Sequence, residues 1–237
     1  MQRYFAKSKD NDFFELEKED YHHIKHVMRF QKGEQIQVVY QKQAYLCVIE
    51  SLEEPIQIKQ LSLCDAFDSR EKELILLLPL LKEQKMDFVL QKATELGVSK
   101  IIPVITERSI VKLSKDKMDK KIERWTRICK EASEQSYRTT IPEITKISTY
   151  QDLPSFDGLQ LVCSTKERQK TLRQALQKIA DYDRIVIAIG PEGGLSEKEE
   201  QRLVEQGFIS VSLGKRILRV ETVPIMLLSI LNYEIMG

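Results

Sequence analysis

Five compact apolar runs, at residues 74–78, 101–105, 159–163, 184–189 and 209–213, constrain this chain more than any other feature. Each is too continuous for a strand with one wet face and too short for most helices, which is the pattern of strands covered on both faces. Between the runs the period changes. Met86, Val89, Leu90, Ala93 and Leu96 recur at helical spacing up to Gly97, and Met118, Ile122, Trp125, Cys129 and Ala132 do the same further on. Leu172, Leu176 and Ile179 mark a third helix, while Ser196 with Glu199 reads as a capping box opening a fourth that should end at Gly207. Strand and helix in alternation predict an α/β domain around a mainly parallel sheet, over residues 71–237. The last helix, about residues 223–236, carries Ile225, Met226, Leu227, Leu228, Ile230 and Leu231 nearly all the way round. It is either a central buried helix or one whose outer side is covered by a second subunit.

Upstream, apolar residues alternate in short runs, as in Ile36, Val38, Tyr40, then Leu46, Val48, then Ile56, Ile58. This predicts a small β-rich domain over residues 1–70, interrupted by a helix through Tyr21, Ile24, Val27 and Met28, with a linker at residues 62–72. The longest apolar run, residues 74–81, is less than half a bilayer span, and the N-terminus lacks a secretory apolar region, so the expectation is a cytoplasmic protein without membrane insertion. Four cysteines lie far apart with no Cys-x-x-Cys pair, which argues against a disulfide framework or a zinc knuckle. A net charge of +1 means that any affinity for nucleic acid has to come from a local patch.

In open α/β sheets ligands sit beyond the carboxyl ends of strands, so the loops after the five runs are the candidates. One is Ile189-Gly190-Pro191-Glu192-Gly193-Gly194-Leu195-Ser196, where glycines allow close approach of backbone to a ligand. It lacks both the Lys-Ser/Thr end of a phosphate loop and the dinucleotide fingerprint, and Glu192 would repel a phosphate; it better suits a ligand read by backbone groups, even a positively charged one. The other is Leu213-Gly214-Lys215-Arg216-Ile217-Leu218-Arg219-Val220-Glu221-Thr222, with apolar residues able to sandwich a flat ring, two arginines, a carboxylate, and Thr222 as a cap for the next helix. Either loop alone could equally be structural. Residues 108–138 hold ten Lys plus Arg against five Asp plus Glu, a local excess that suits either phosphate attraction or a solvated helix face. His22 and His26 are spaced to share a helix face, but without a completing acid no metal site is expected; with Lys25 and Arg29 they read as contacts to phosphate or base.

Together these segments carry a family resemblance. Gly190-Pro-Glu-Gly-Gly-Leu-Ser196, Leu213-Gly-Lys-Arg-Ile-Leu-Arg-Val-Glu-Thr222, Lys92-Ala-Thr-Glu-Leu-Gly-Val98, Glu131-Ala-Ser-Glu-Gln-Ser-Tyr-Arg138 and Arg3-Tyr-Phe5 with His23-Ile-Lys-His-Val-Met-Arg29 resemble, in order and across nearly the whole chain, the RsmE family of 16S rRNA uridine N3-methyltransferases in the SPOUT superfamily. The resemblance implies a PUA-like N-terminal barrel, a C-terminal α/β domain with a deep trefoil knot, S-adenosylmethionine as methyl donor, a homodimer through the C-terminal domain, and uridine 1498 of 16S rRNA in the small ribosomal subunit as target. It places the cofactor against Ser164, Ile189, Gly190, Glu192, Gly193, Gly194, Leu213, Gly214, Ile217 and Leu218. Arg138 and Arg219 become candidates for stabilising a developing uridinate, with Glu221 as base or as the group orienting an arginine. Arg3, His23, Arg29, Arg108 and Lys112 are the candidate RNA contacts. Lys215 stands where the family often has proline, and Pro224 falls in the last helix's first turn, where proline is tolerated. The alternative is an RNA-binding module without catalysis, whose glycine loop is only structural; a nucleotide-dependent oxidoreductase or kinase is disfavoured by the missing phosphate motifs.

Overall fold

A computed structural model describes residues 1–64, 72–109 and 115–236, without the side chains of 115, 116 and 236. Lys112 and most of the expected linker therefore lie outside the described residues. The chain divides into two units: Met1–Arg70 with Lys130–Thr140, and Glu71–Cys129 with Ile141–Gly237. The first unit thus takes in a segment that the linear division of the sequence assigned to the second.

The first unit is a closed barrel built from β1 (Arg3–Asp10), β2 (Phe13–Leu16), β3 (Gln35–Tyr40), β4 (Gln43–Ser51) and β5 (Gln57–Leu63), in the order β1-β2-β5-β4-β3. Neighbours are antiparallel except β3, which returns to β1 in parallel. Closure removes the unpaired edges that a five-stranded open sheet would expose. Alternation turns Ile36, Val38, Cys47, Ile49 and Ile58 inward, all of them fully buried. Gln41 and Lys42, both at positive φ (49° and 65°), join β3 to β4 in a two-residue turn that asparagine or glycine would have signalled more plainly. The expected helix is α1 (Lys18–His22), continued by a π-helical turn over His23–Val27 that buries Ile24.

The second unit is a parallel sheet. Its core strands are β6 (Glu73–Pro79), β7 (Lys100–Ile105), β10 (Leu159–Cys163), β11 (Arg184–Ala188) and β12 (Ile209–Val211), in the order β12-β10-β11-β6-β7; short strands β8 (Glu143–Ile144) and β9 (Ser148–Thr149), not anticipated from the sequence, pair with β7. All five runs are strands. Along β6, Leu74, Leu76 and Leu78 enter the core shared with α2 (Glu83–Glu95), α3 (Lys115–Gln135) and α6 (Thr222–Met236), while Ile75 and Leu77 face Val186, Leu203 and Phe208 on the other side. Burial on both faces is why these strands read as continuous apolar runs.

The third predicted helix is short: α4 (Leu172–Ala175) is opened by a Thr171/Gln174 capping box and passes into a 3₁₀ segment, Leu176–Asp181. Helix α5 (Glu197–Glu205) begins as the sequence suggests. Ser196 Oγ accepts from the Glu199 amide at 3.2 Å, and Glu199 Oε2 accepts from the Ser196 amide at 2.9 Å. The other carboxylate oxygen of Glu199 accepts from the Glu107 amide at 2.9 Å, tying the loop after β7 to the start of α5. Helix α6 buries Leu227, Leu228 and Leu231 completely, and Thr222 lies within its first turn rather than ahead of it, so Pro224 occupies a position that needs no amide donor.

Because Glu199 is buried and satisfies two backbone donors, Glu199→Ala should lower the unfolding free energy by about 1–3 kcal/mol. Urea denaturation measures this, and an unchanged midpoint would contradict it.

Candidate active site

A cleft of about 600 Å³ opens at the carboxyl ends of the parallel strands. Each core strand sends the segment that follows it to the wall: Lys85 after β6, Arg108 after β7, residues 163–168 after β10, 189–195 after β11 and 213–220 after β12. The sequence-derived candidates converge here. Ser164 comes from the first of the long segments, Ile189, Gly190, Glu192, Gly193 and Gly194 from the second, and Leu213, Gly214, Ile217, Leu218 and Arg219 from the third.

Local interactions explain why the loops hold these shapes. The buried Ser164 donates its amide to the Val211 carbonyl at 3.0 Å and accepts at Oγ from the Lys166 amide at 3.1 Å, folding the chain back as it leaves β10. Tyr150 Oη donates to the Ile189 carbonyl at 3.1 Å, and its full burial drives the phenol pKa upward, so this donor stays protonated. Gly190 is indispensable for a steric reason: a Cβ there would lie 2.9 Å from the Leu195 amide nitrogen. Gly194 has φ +70°, a conformation that L side chains rarely adopt.

Two cations brace the glycine bend. Arg108, a candidate RNA contact from sequence, donates to the carbonyls of Gly193 at 2.9 Å and Leu195 at 3.3 Å. Lys85 reaches Glu192 at 3.0 Å and Glu221 at 3.2 Å, so one ammonium joins the β11 bend to the segment before α6. Its pKa is raised by those two carboxylates, Glu192 first. Glu221 is held below the usual carboxylate range by its own backbone amide, with Lys85 and Arg219 adding to the effect. Sequence reasoning missed Lys85, because helical periodicity shows it only as a polar residue of α2 and its partners lie more than a hundred positions away. The cleft thus offers backbone groups, an apolar flank from Leu213, Ile217 and Leu218, and a carboxylate at Glu192, a set suited to a ligand with a flat ring and a cationic centre.

The remaining candidates among the described residues lie in the first unit. Arg3 is only 6% exposed, and its guanidinium donates to Gln37 Oε1, from Nε at 3.0 Å and Nη2 at 2.6 Å, and to the Tyr137 and Arg138 carbonyls. It holds the segment carrying Arg138 instead of reaching into solvent. His23 Nδ1 is 2.9 Å from Tyr4 Oη, Arg29 is exposed, and the Arg138 guanidinium donates to Thr140 Oγ1 at 3.3 Å. Part of the basic excess on α3 is spent within the second unit, since Arg124 grips Asp87 with bonds of 2.8 and 2.5 Å. The His22 and His26 rings lie with centroids 4.7 Å apart, tilted by 40°, and no cluster of three or more His, Cys, Asp or Glu able to hold a metal occurs among the described residues.

Fold and cleft together define an RNA-modifying methyltransferase: residues 68–232 match the family described as an RNA methyltransferase domain, and residues 16–59 the RNA methyltransferase PUA domain. The chain is 34% identical to ribosomal RNA small subunit methyltransferase E of Bacillus subtilis, over 99% of this chain and 97% of that one. It is also 34% identical to the protein of the same name from Mesomycoplasma hyopneumoniae, over 97% and 98%. A crystal structure of ribosomal RNA small subunit methyltransferase E from Neisseria gonorrhoeae bound to S-adenosyl methionine superposes with a TM-score of 0.86 at 32% identity, covering 98% of this chain and 97% of that one. The chain belongs to the ribosomal RNA small subunit methyltransferase E family.

Two outcomes follow from the geometry. Lys85→Met should let Glu221 titrate at higher pH and speed amide exchange in residues 192–195, as NMR would register; unchanged titration and exchange would remove Lys85 as a brace. In the first unit, Lys130 lies between Asp20 and Glu134, and burial pushes the Glu134 carboxyl from its ordinary 4.5 up to about 7. A group protonated more readily in the folded state contributes stability that is fully present below about pH 4.5 and lost as pH rises through about 7. Glu134→Gln should flatten that part of the stability profile, measured by denaturation from pH 4.5 to 8; an identical profile would contradict the assignment.

Proposed function

We propose that this chain transfers a methyl group from S-adenosylmethionine to N3 of uridine 1498 of 16S rRNA in the small ribosomal subunit, acting in the cytoplasm as a homodimer. The observation that carries this reading is the convergence of all five strand-end segments on one cleft bordered by every cofactor-contacting candidate. The relatives' names and the S-adenosyl methionine bound by the Neisseria gonorrhoeae protein support it.

When bound, S-adenosylmethionine supplies a methyl group on a positively charged sulfur. The residues around the cleft fit such a group: the bends at 190–194 and 213–218 bring backbone close, Glu192 offers negative charge, and Leu213, Ile217 and Leu218 flank a flat ring. In-line transfer needs the acceptor aligned and water excluded, which braced loops serve. Uridine N3 is protonated at neutral pH and attacks only as its proton leaves to solvent water, while the N3–methyl bond forms and the sulfur–methyl bond breaks. Arg138 and Arg219 stabilise the charge that develops on the base, an effect of about a hundredfold or more in comparable sites. Glu221, with its lowered pKa and its tie to Lys85, is a weak proton acceptor and serves to position the segment that bears Arg219. For the dimer, support comes from α6, where Tyr233 is 79% exposed and Ile225, Met226 and Ile230 are half-buried.

Calorimetry with S-adenosylmethionine should show saturable binding that Gly190→Ala weakens by roughly tenfold or more, about 1.4 kcal/mol. Arg138→Ala should keep that binding and lose methylation of small subunits, read by mass spectrometry of the rRNA. Absence of cofactor binding by the wild type would overturn the proposal, and near-normal methylation by Arg138→Ala would remove that residue from the mechanism.

A further inference from the structure

We propose that the mouth of the cleft is an RNA-gripping collar, in which Arg168, Lys215 and Arg216 contact phosphates on either side of the target nucleotide; this deepens the methyltransferase reading and rests on it. These three residues border the cleft from the segments after β10 and β12, and all are exposed.

What singles them out is the pairing of their neighbours. Of the other cations around the cleft, Lys85 is held by Glu192 and Glu221, Arg108 by two backbone carbonyls, and Lys166 by Glu197 at 2.9 Å, while Arg219 helps to hold the Glu221 pKa down. The nearby carboxylates are equally committed. Glu200 accepts from Ser210 Oγ at 3.0 Å, and Glu167 accepts from the amides of Arg168, Gln169 and Lys170, which lower its pKa. Arg168 reaches only the carbonyl of Glu167, at 3.4 Å, and none of the three has a carboxylate within ion-pairing distance among the described residues.

A chain of net charge +1 therefore concentrates three cations without a carboxylate partner around one opening. Such a local potential attracts a polyanion, and arginine's planar fork suits phosphate oxygens. Cations carried on two separate loops offer contacts to more than one phosphate. The arrangement also puts phosphate contacts where an extruded base would have to enter, whereas Arg3, the barrel's first sequence candidate for that role, is occupied internally.

The experiment is the salt dependence of binding to small ribosomal subunits purified from cells lacking this chain, at fixed magnesium. Each lost phosphate contact should reduce the slope of log affinity against log salt by about 0.7. Arg168→Gln/Lys215→Gln/Arg216→Gln should lower it by about 2, Arg168→Gln alone by about 0.7, and the charge-keeping Arg168→Lys/Lys215→Arg/Arg216→Lys should retain the wild-type slope. Glutamine variants with the wild-type slope would overturn the collar. A wild-type protein that binds no S-adenosylmethionine would overturn the underlying reading instead, so the two failures are distinguishable.

Discussion

A parallel strand buried on both faces spends its backbone polar groups on its neighbours and its side chains on two apolar layers, so only its ends remain for chemistry. In the second unit this holds for β10, β11, β6 and β7, while the edge strand β12 leaves Ile209 exposed; because all five run the same way their carboxyl ends share one rim of the sheet. Each following loop begins at that rim whatever its own sequence. The cleft is a consequence of strand direction first and of loop composition second.

Loop composition then decides what the cleft can hold. Glycine at 190 and 194 lets the β11 bend fold tightly on itself, while Arg108 and Lys85 fasten it from two other strand-end segments. The same charges serve structure and site at once. Glu192 is available as a negative group at the wall, yet its tie to Lys85 stops the bend from opening under that charge. Of the cations that border the cleft, Arg168, Lys215 and Arg216 have no carboxylate partner among the described residues, and they lie at its mouth. In the first unit the buried polar groups are structural. Arg3, Lys130, Asp20 and Glu134 anchor the 130–138 segment to the barrel, at the expense of a carboxyl that holds its proton to about pH 7.

Much of this was legible along the chain, for reasons that are local. Apolar runs announce doubly covered strands, a Ser196/Glu199 pair announces a helix start, and glycines after runs announce bends, because each depends on residues within a few positions of one another. The two-residue turn at Gln41-Lys42 and the short paired strands after α3 escaped, since neither carries the composition that normally marks it.

The sequence by itself determined the five core strands of the second unit, the helices between them and which loops bear glycine, charge and apolar residues, together with the family those motifs define. Only the tertiary structure decided which charges are spent. Lys85 pairs with residues beyond position 190, Arg108 closes on the glycine bend, and Arg3, an apparent surface arginine, is consumed by carbonyls more than a hundred residues away. Ion pairs and buried hydrogen bonds depend on distance in space, which falls steeply within a few ångströms and has no counterpart in distance along the chain.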